Sequence, residues 1–231
     1  MGFNERVHAY VAAKYYQHLT EAFGERGRKA FVHATMYYGG RRGRRMAQKA
    51  IRDGKELTQA VYNNYSEFEI SEDMKAEGSS NKAEYTAEGK FVVSRCPWNI
   101  QFASMGLLEA GREYCRNIDM SISRGFNPEL GFKTETNLNE EGSKSCIQYI
   151  ETGFIGEGAE KGKKKEYIKS FEYHTADLYW AFYEVTASIF EEEGERVNQE
   201  VMEDFGKDYG DEMAEILLSY RNKNFNVIDL T

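Results

Sequence analysis

Slid against itself by 167 positions, the chain brings two helix-forming stretches into register. Tyr15 aligns with Phe182, Tyr16 with Tyr183, Phe23 with Phe190, Glu25 with Glu192 and Gly27 with Gly194. The match continues without a gap: Tyr38-Gly39 falls on Phe205-Gly206, Gly43 on Gly210, and Met46-Ala47 on Met213-Ala214. A repeated helix-glycine-helix unit accounts for this, and glycines four apart would let two helices approach closely or end a turn. The charges inside the match invert, with Arg41, Arg42, Arg44 and Arg45 answered by Asp208, Tyr209, Asp211 and Glu212. The expectation is that the two units pack as pseudo-equivalents, the second an acidic counterpart of the first. The competing reading is two helical hairpins that converge by chance on aromatic and glycine positions.

Periodicity assigns helices to Glu5–Phe23, Phe31–Asp53 and, shorter, Glu56–Phe68, with Gly24 and Gly27 at the first junction. Glu72–Lys82 is polar and rich in glycine and serine, so it reads as a loop. Alternation over Ala83–Arg95 gives one or two strands, Ile100–Ser123 is helical, and Leu130–Leu138 and Lys144–Ile150 form a hairpin turned at Asn139–Gly142. A flexible lysine-glycine connector is expected over Gly153–Lys165, then helix from Tyr167 to Tyr220 with a break near Glu193–Glu195. The fold class expected is α+β. A small, mostly antiparallel sheet with one inserted long helix is covered by N- and C-terminal helical hairpins. Its divisions are residues 1–68, a core over 69–152 and a second helical unit over 153–231, all within one compact domain.

Charge is polarised: residues 1–55 hold twelve Lys and Arg against four Asp and Glu, and residues 184–231 hold four against thirteen. Such ends can neutralise each other within the chain or across a homo-oligomer. The net charge of -8 and the lack of interleaved aromatic-glycine motifs argue against nucleic acid as a partner. No apolar run reaches the ~20 residues of a membrane span, and no secretory signal core precedes residue 30, which points away from membranes and to the cytoplasm. Three cysteines make no disulfide framework, so the thiols are expected to be reduced, whether buried, metal-bound or catalytic.

Cys115 and Asp119 lie four apart on one helix face, with Leu108 and Gly111 on the same stripe. Asp119 could activate water while Cys115 serves as nucleophile or ligand; alternatively Cys115 is core and Asp119 pairs with Arg116 or Arg124. Cys96 ends a strand before Pro97, and Trp98 could stack on a planar heterocycle or belong to the core. Cys146 and Gln148 share a strand face and Glu135 sits on the partner strand, so Cys115, Glu135 and Cys146 could cluster round a divalent metal, zinc or manganese. None of His8, His18, His33 and His174 forms a metal pair, and each reads first as a surface or capping histidine. His174 stands apart because its aromatic neighbours would displace its pKa. No dinucleotide loop, phosphate loop or serine-hydrolase elbow is present.

The segments Tyr38-Gly39-Gly40-Arg41-Arg42-Gly43, Cys96-Pro97-Trp98, Gly111-Arg112-Glu113-Tyr114-Cys115 with Asp119, and Gly125-Phe126-Asn127-Pro128 together resemble the L-2-amino-thiazoline-4-carboxylic acid hydrolases over roughly residues 5–152. That resemblance implies hydrolytic opening of a small cyclic isothiourea, amidine or amide that bears a carboxylate. Arg42, in the family-like Arg-Gly pair, would clamp the carboxylate or pair with the acidic second unit. Trp98, Cys96, Asn127 and His174 would line the substrate. A second similarity, to vinyl-reductase-like ligand-binding domains, implies a zinc site in which Glu135 and Cys146 keep a spacing of eleven and Cys115 lies upstream; Leu138 occupies the place of a further cysteine. The alternative function is a non-catalytic, sensor-like module that binds a small molecule, and a third reading is an interaction protein built on oppositely charged helical units.

Overall fold

A computed structural model describes residues 2–86, 89–151 and 162–228; the connector expected at 153–165 falls mostly outside them. Asn4 caps α1 (Glu5–Phe23) by accepting from the backbone N–H groups of Arg6 and Val7. The helix ends at Gly24, with φ 56° and ψ -129°, and α2 (Glu25–Arg52) starts at once. Gly27 makes that hairpin tight, because a Cβ there would sit 1.8 Å from the Leu19 carbonyl oxygen.

The second unit repeats this construction. In α7 (Phe171–Tyr209) the chain kinks at Glu191, with φ 52° and ψ -127°, the angles of Gly24 at the equivalent position. A Cβ on Gly194 would meet the Thr186 carbonyl oxygen at 2.3 Å, as Gly27 meets Leu19. The break therefore comes two residues before the stretch read from sequence, where the geometry of the turn requires it and a glutamate stands in for glycine. Equivalent residues meet across a pseudo-twofold: Phe23 stacks on Phe190 with centroids 3.7 Å apart, and Tyr15 packs on Phe182. Tyr10 donates to Asp208 at 2.6 Å, and the counterpart pair, Arg41 and Asp177, is also bonded. The units are thus pseudo-equivalents, and their opposite charges meet within the chain, as in Lys14–Asp204 at 2.8 Å.

The paired glycines find both expected uses. Gly43 lets α2 touch the inserted helix α6 (Leu108–Phe126) backbone to backbone, since a Cβ would lie 2.0 Å from the Ile122 oxygen. Its equivalent, Gly210 with φ 94°, instead ends α7 before α8 (Asp211–Ser219).

Between the units come α3 (Gln59–Asn64), α4 (Glu72–Ala76), β1 (Lys82–Tyr85), β2 (Lys90–Arg95) and α5 (Pro97–Ser104), followed by α6, β3 (Phe132–Thr136) and β4 (Cys146–Ile150). The strands form one antiparallel sheet in the order β1-β2-β4-β3. The inserted helix is two pieces, because Gly106 takes φ 69° between α5 and α6. Ser71 caps α4 inside the stretch read as loop, and the helix expected over Glu56–Phe68 shortens to α3. One apolar core runs from Val7 to Phe225 through α6. Among the described residues no helix is long and apolar enough to cross a membrane.

Candidate functional site

The arginine run of α2 divides by helical phase. Arg41 and Arg45 turn toward α7 and are buried with Asp177 and Glu67; Arg45 lies 2.8 Å from Glu67 and 2.7 Å from Asp177, and Lys49 adds a 2.7 Å contact to Glu67. Burial acts against the charged form of Glu67, but Arg45 and Lys49 hold its carboxyl well below the usual range. Arg42 points the other way. It is 3% exposed, its guanidinium lies 3.9 Å from the centroid of Phe68, and its Nε has no hydrogen-bond partner among the described residues. Among the described residues it forms no ion pair.

Arg42 faces a cavity of about 260 Å³ between α6, the sheet and the loop that carries Phe68. The same cavity is lined by Cys96, Trp98, Cys115, Asp119 and Cys146, six of the sequence-derived candidates together with Arg42. Cys96 holds an extended conformation and Pro97 opens α5 directly after it, which brings Trp98 to the wall. Cys115 and Asp119 project from one face of α6, as their spacing predicts, and Cys146 and Gln148 project from β4.

Asp119 accepts a 2.7 Å hydrogen bond from Gln148 Nε2. Burial raises its pKa above the ordinary carboxylate value, against the opposing pull of Arg42 and Gln148. The three thiols stay protonated: burial, neighbouring thiols and Asp119 push Cys115 well up, and burial above all takes Cys96 to about 11 and Cys146 to about 12. Asn139 donates to Cys115 Sγ at 3.4 Å and accepts from Asn99 at 3.0 Å. Gly111 makes room for that carboxamide, since a Cβ would fall 2.4 Å from Asn139 Oδ1.

Trp98 is fixed from behind by His8. The indole N–H can only donate, so His8 Nδ1 accepts it at 3.0 Å, and the opposite nitrogen carries the proton toward the Tyr38 hydroxyl 2.9 Å away. Burial, with Arg42 nearby, keeps His8 neutral by lowering its pKa well below the usual value. This histidine is wholly buried, where the sequence suggested a surface or capping role. Nothing in its helical context marked it, because its partners arrive from α2 and α5.

Three candidates lie elsewhere. Asn127 ends α6, bonding to the Leu57 carbonyl at 2.9 Å and accepting from Glu129 N–H at 3.0 Å. His174 sits behind Phe68, 4.0 Å between ring centroids, with Nε2 3.1 Å from the Glu67 carbonyl oxygen, and burial lowers its pKa as expected. Glu135 is out of phase. On β3 it points to the face of the sheet opposite the cavity, where it pairs with Lys90 at 2.6 Å.

The Cys115, Glu135, Cys146 metal centre is therefore corrected. Strand alternation, with an irregularity between Thr134 and Thr136, carries Glu135 away from both thiols. Among the described residues no group of three His, Cys, Asp or Glu side chains could hold a zinc, manganese or other metal ion.

A profile of the L-2-amino-thiazoline-4-carboxylic acid hydrolases matches residues 4–148, well over half the chain. The chain belongs to that family. Membership supports a hydrolase of this general class. The match takes in the first helical unit, α5, α6 and the sheet up to Gln148, and so spans both Arg42 and Asp119. Searches of curated proteins and of solved structures return no match.

Proposed function

We propose that this cavity hydrolyses a small cyclic amidine, isothiourea or amide that bears a carboxylate, of the 2-aminothiazoline-4-carboxylate kind. The observation that carries the reading is Arg42, a buried cation without an ion-pair partner among the described residues, in the cavity that also holds Asp119. A buried guanidinium without an ion pair costs free energy, and a substrate carboxylate gives it a bidentate partner. Trp98 lines the cavity as the aromatic partner for the planar ring, while Phe68, covered by Arg42 and His174, fixes the guanidinium.

Asp119 is the base. Held by Gln148, its carboxylate takes a proton from water as the water oxygen bonds to the amidine carbon. Asp119 returns that proton to the nitrogen of the former C=N bond; the hydroxyl then becomes the carbonyl as the ring C–N or C–S bond breaks and its proton passes through Asp119 to the departing nitrogen or sulfur, so that one water is consumed and no further reactant is needed. A carboxyl whose pKa lies above the ordinary value is better matched to proton transfer near neutrality than an exposed aspartate. Cys115 beside it is a neutral thiol, and serves as wall and hydrogen-bond acceptor rather than as a preformed thiolate nucleophile.

The test is chromatographic detection of the carbamoyl product from 2-aminothiazoline-4-carboxylate with the native protein and Asp119→Asn. Turnover that Asp119→Asn lowers by about 10²–10⁴ is expected. Binding without turnover in the native protein would move the assignment to a small-molecule-binding module.

A further inference from the structure

A second cavity, of about 420 Å³, adjoins the first at Asp119 and Gln148, and both residues line both cavities, with Tyr62, Ser66, Phe91 and Lys163, whose Nζ donates to the Phe68 carbonyl oxygen at 2.6 Å. The reacting centre proposed above thus stands at a junction and not at the end of a pocket. Beyond the shared residues the outer cavity takes apolar lining from the sheet, with Phe132 and Tyr85, and carboxamide lining from α3, with Gln59 and Asn63.

Gln59 is 4% exposed. Its Nε2 donates to Asn63 at 3.3 Å, while its Oε1 is buried with no hydrogen-bond partner among the described residues. A buried acceptor left unpaired costs free energy, so its persistence beside a cavity is informative. Arg42 on the inner side presents the complementary deficit, an Nε donor without an acceptor among the described residues. Two unmet groups of opposite kind, on either side of Asp119, define a ligand with an anion at one end and a donor at the other.

We infer that the substrates of this chain are bipartite. The carboxylate-bearing ring occupies the inner cavity, and beyond the scissile carbon an apolar substituent that ends in an O–H or N–H donor lies in the outer one, where Gln59 accepts from it. The inner cavity alone falls below the range of about 300–1,000 Å³ usual for ligand pockets, whereas the outer one falls within it. In a 2-aminothiazoline-4-carboxylate the exocyclic nitrogen leaves the amidine carbon on the side away from the carboxylate, so a group attached there points past Asp119. This inference rests on the hydrolase reading for the placement of the ring, and its test separates the two.

Calorimetric binding to Asp119→Asn protein, in which substrate persists, is compared for three thiazoline-4-carboxylates: the 2-amino parent, the 2-benzylamino compound and the 2-(4-hydroxybenzylamino) compound. The hydroxybenzyl compound should bind about tenfold more tightly than the benzyl one, with the gap lost in Gln59→Leu and kept in Gln59→Glu, which preserves the acceptor. Equal affinity of the two aryl compounds, or a gap that Gln59→Leu leaves intact, overturns the inference, as does binding of the parent with exclusion of both aryl compounds. The comparison of ligands on unaltered Gln59 decides the matter even if the Gln59 variants do not fold. Parent turnover by the native protein reports separately on the hydrolase reading; no binding of any of the three would remove both.

Discussion

The Arg42 guanidinium lies 3.9 Å from the centre of the Phe68 ring and forms no ion pair among the described residues, while Arg41 and Arg45, one residue before it and three after, are locked into buried carboxylates. Adjacent arginines on one helix therefore have different energetic roles. Replacing Arg42 by Met removes a buried charge that rests on the Tyr38 and Phe68 rings without an ion pair, and should cost no more than about 1 kcal/mol while abolishing ligand binding. Arg45→Met leaves Glu67 to Lys49 and Asp177 to Arg41 alone and should cost about 3–5 kcal/mol. Urea denaturation of the two variants checks the contrast.

Glu191 adopts angles that its equivalent, Gly24, adopts freely, with φ 52° against 56°. A side chain in this region carries roughly 1–3 kcal/mol of strain. Glu191→Gly should therefore stabilise the protein by about 1 kcal/mol, since relief of strain outweighs the added freedom of the unfolded chain. A fall in the denaturation midpoint would contradict it.

Phe23 and Phe190 stack 3.7 Å apart at the end of the pseudo-twofold, with planes 2° from parallel. Phe190→Ala should cost about 3 kcal/mol through lost burial and an unfilled cavity. Its effect should be sub-additive with that of Phe23→Ala, because each ring is the main partner of the other. A double-mutant cycle measured by thermal denaturation reads the coupling.

His8 and His174 are buried and held neutral, with pKa values below the ordinary 6.5. Below pH 6.5 the unfolded chain takes up protons that the folded chain refuses, so stability falls as pH drops. Each histidine contributes about 1.4 kcal/mol per pH unit until its folded pKa is reached. Denaturation curves from pH 7.5 to 5.5 should show this slope, and His174→Gln should reduce it. For Asp119 the direction differs: the acid limb of the rate profile should lie above the ordinary carboxylate value of 3.8, with activity rising as the carboxyl ionises.

Much of this architecture was legible because backbone geometry demanded particular residues. Gly27 and Gly194 recur since any Cβ would strike a carbonyl of the preceding helix, and that necessity made the repeat visible. The kink was misplaced by two residues because Glu191 tolerates a glycine conformation and so leaves no glycine to read. In the site, Cys115 and Asp119 could be paired by helical spacing alone. For Gln148 the sequence shows only that it shares a strand face with Cys146, although it is the residue that holds Asp119. Glu135 was misassigned because a hairpin brings partner strands together without fixing which face each residue takes. Phe68, His8 and Asn139 gave no local signal, since each acquires its role from contacts with distant elements.

The central claim is that Arg42 recognises a substrate carboxylate beside the base Asp119. The most direct measurement is kcat/KM of native protein and Arg42→Gln toward 2-aminothiazoline-4-carboxylate and its uncharged 4-carboxamide. Native protein should prefer the acid by about 10²-fold or more, the worth of a buried charge-assisted pair, and Arg42→Gln should erase that preference. An acid preference that survives in Arg42→Gln would contradict the account.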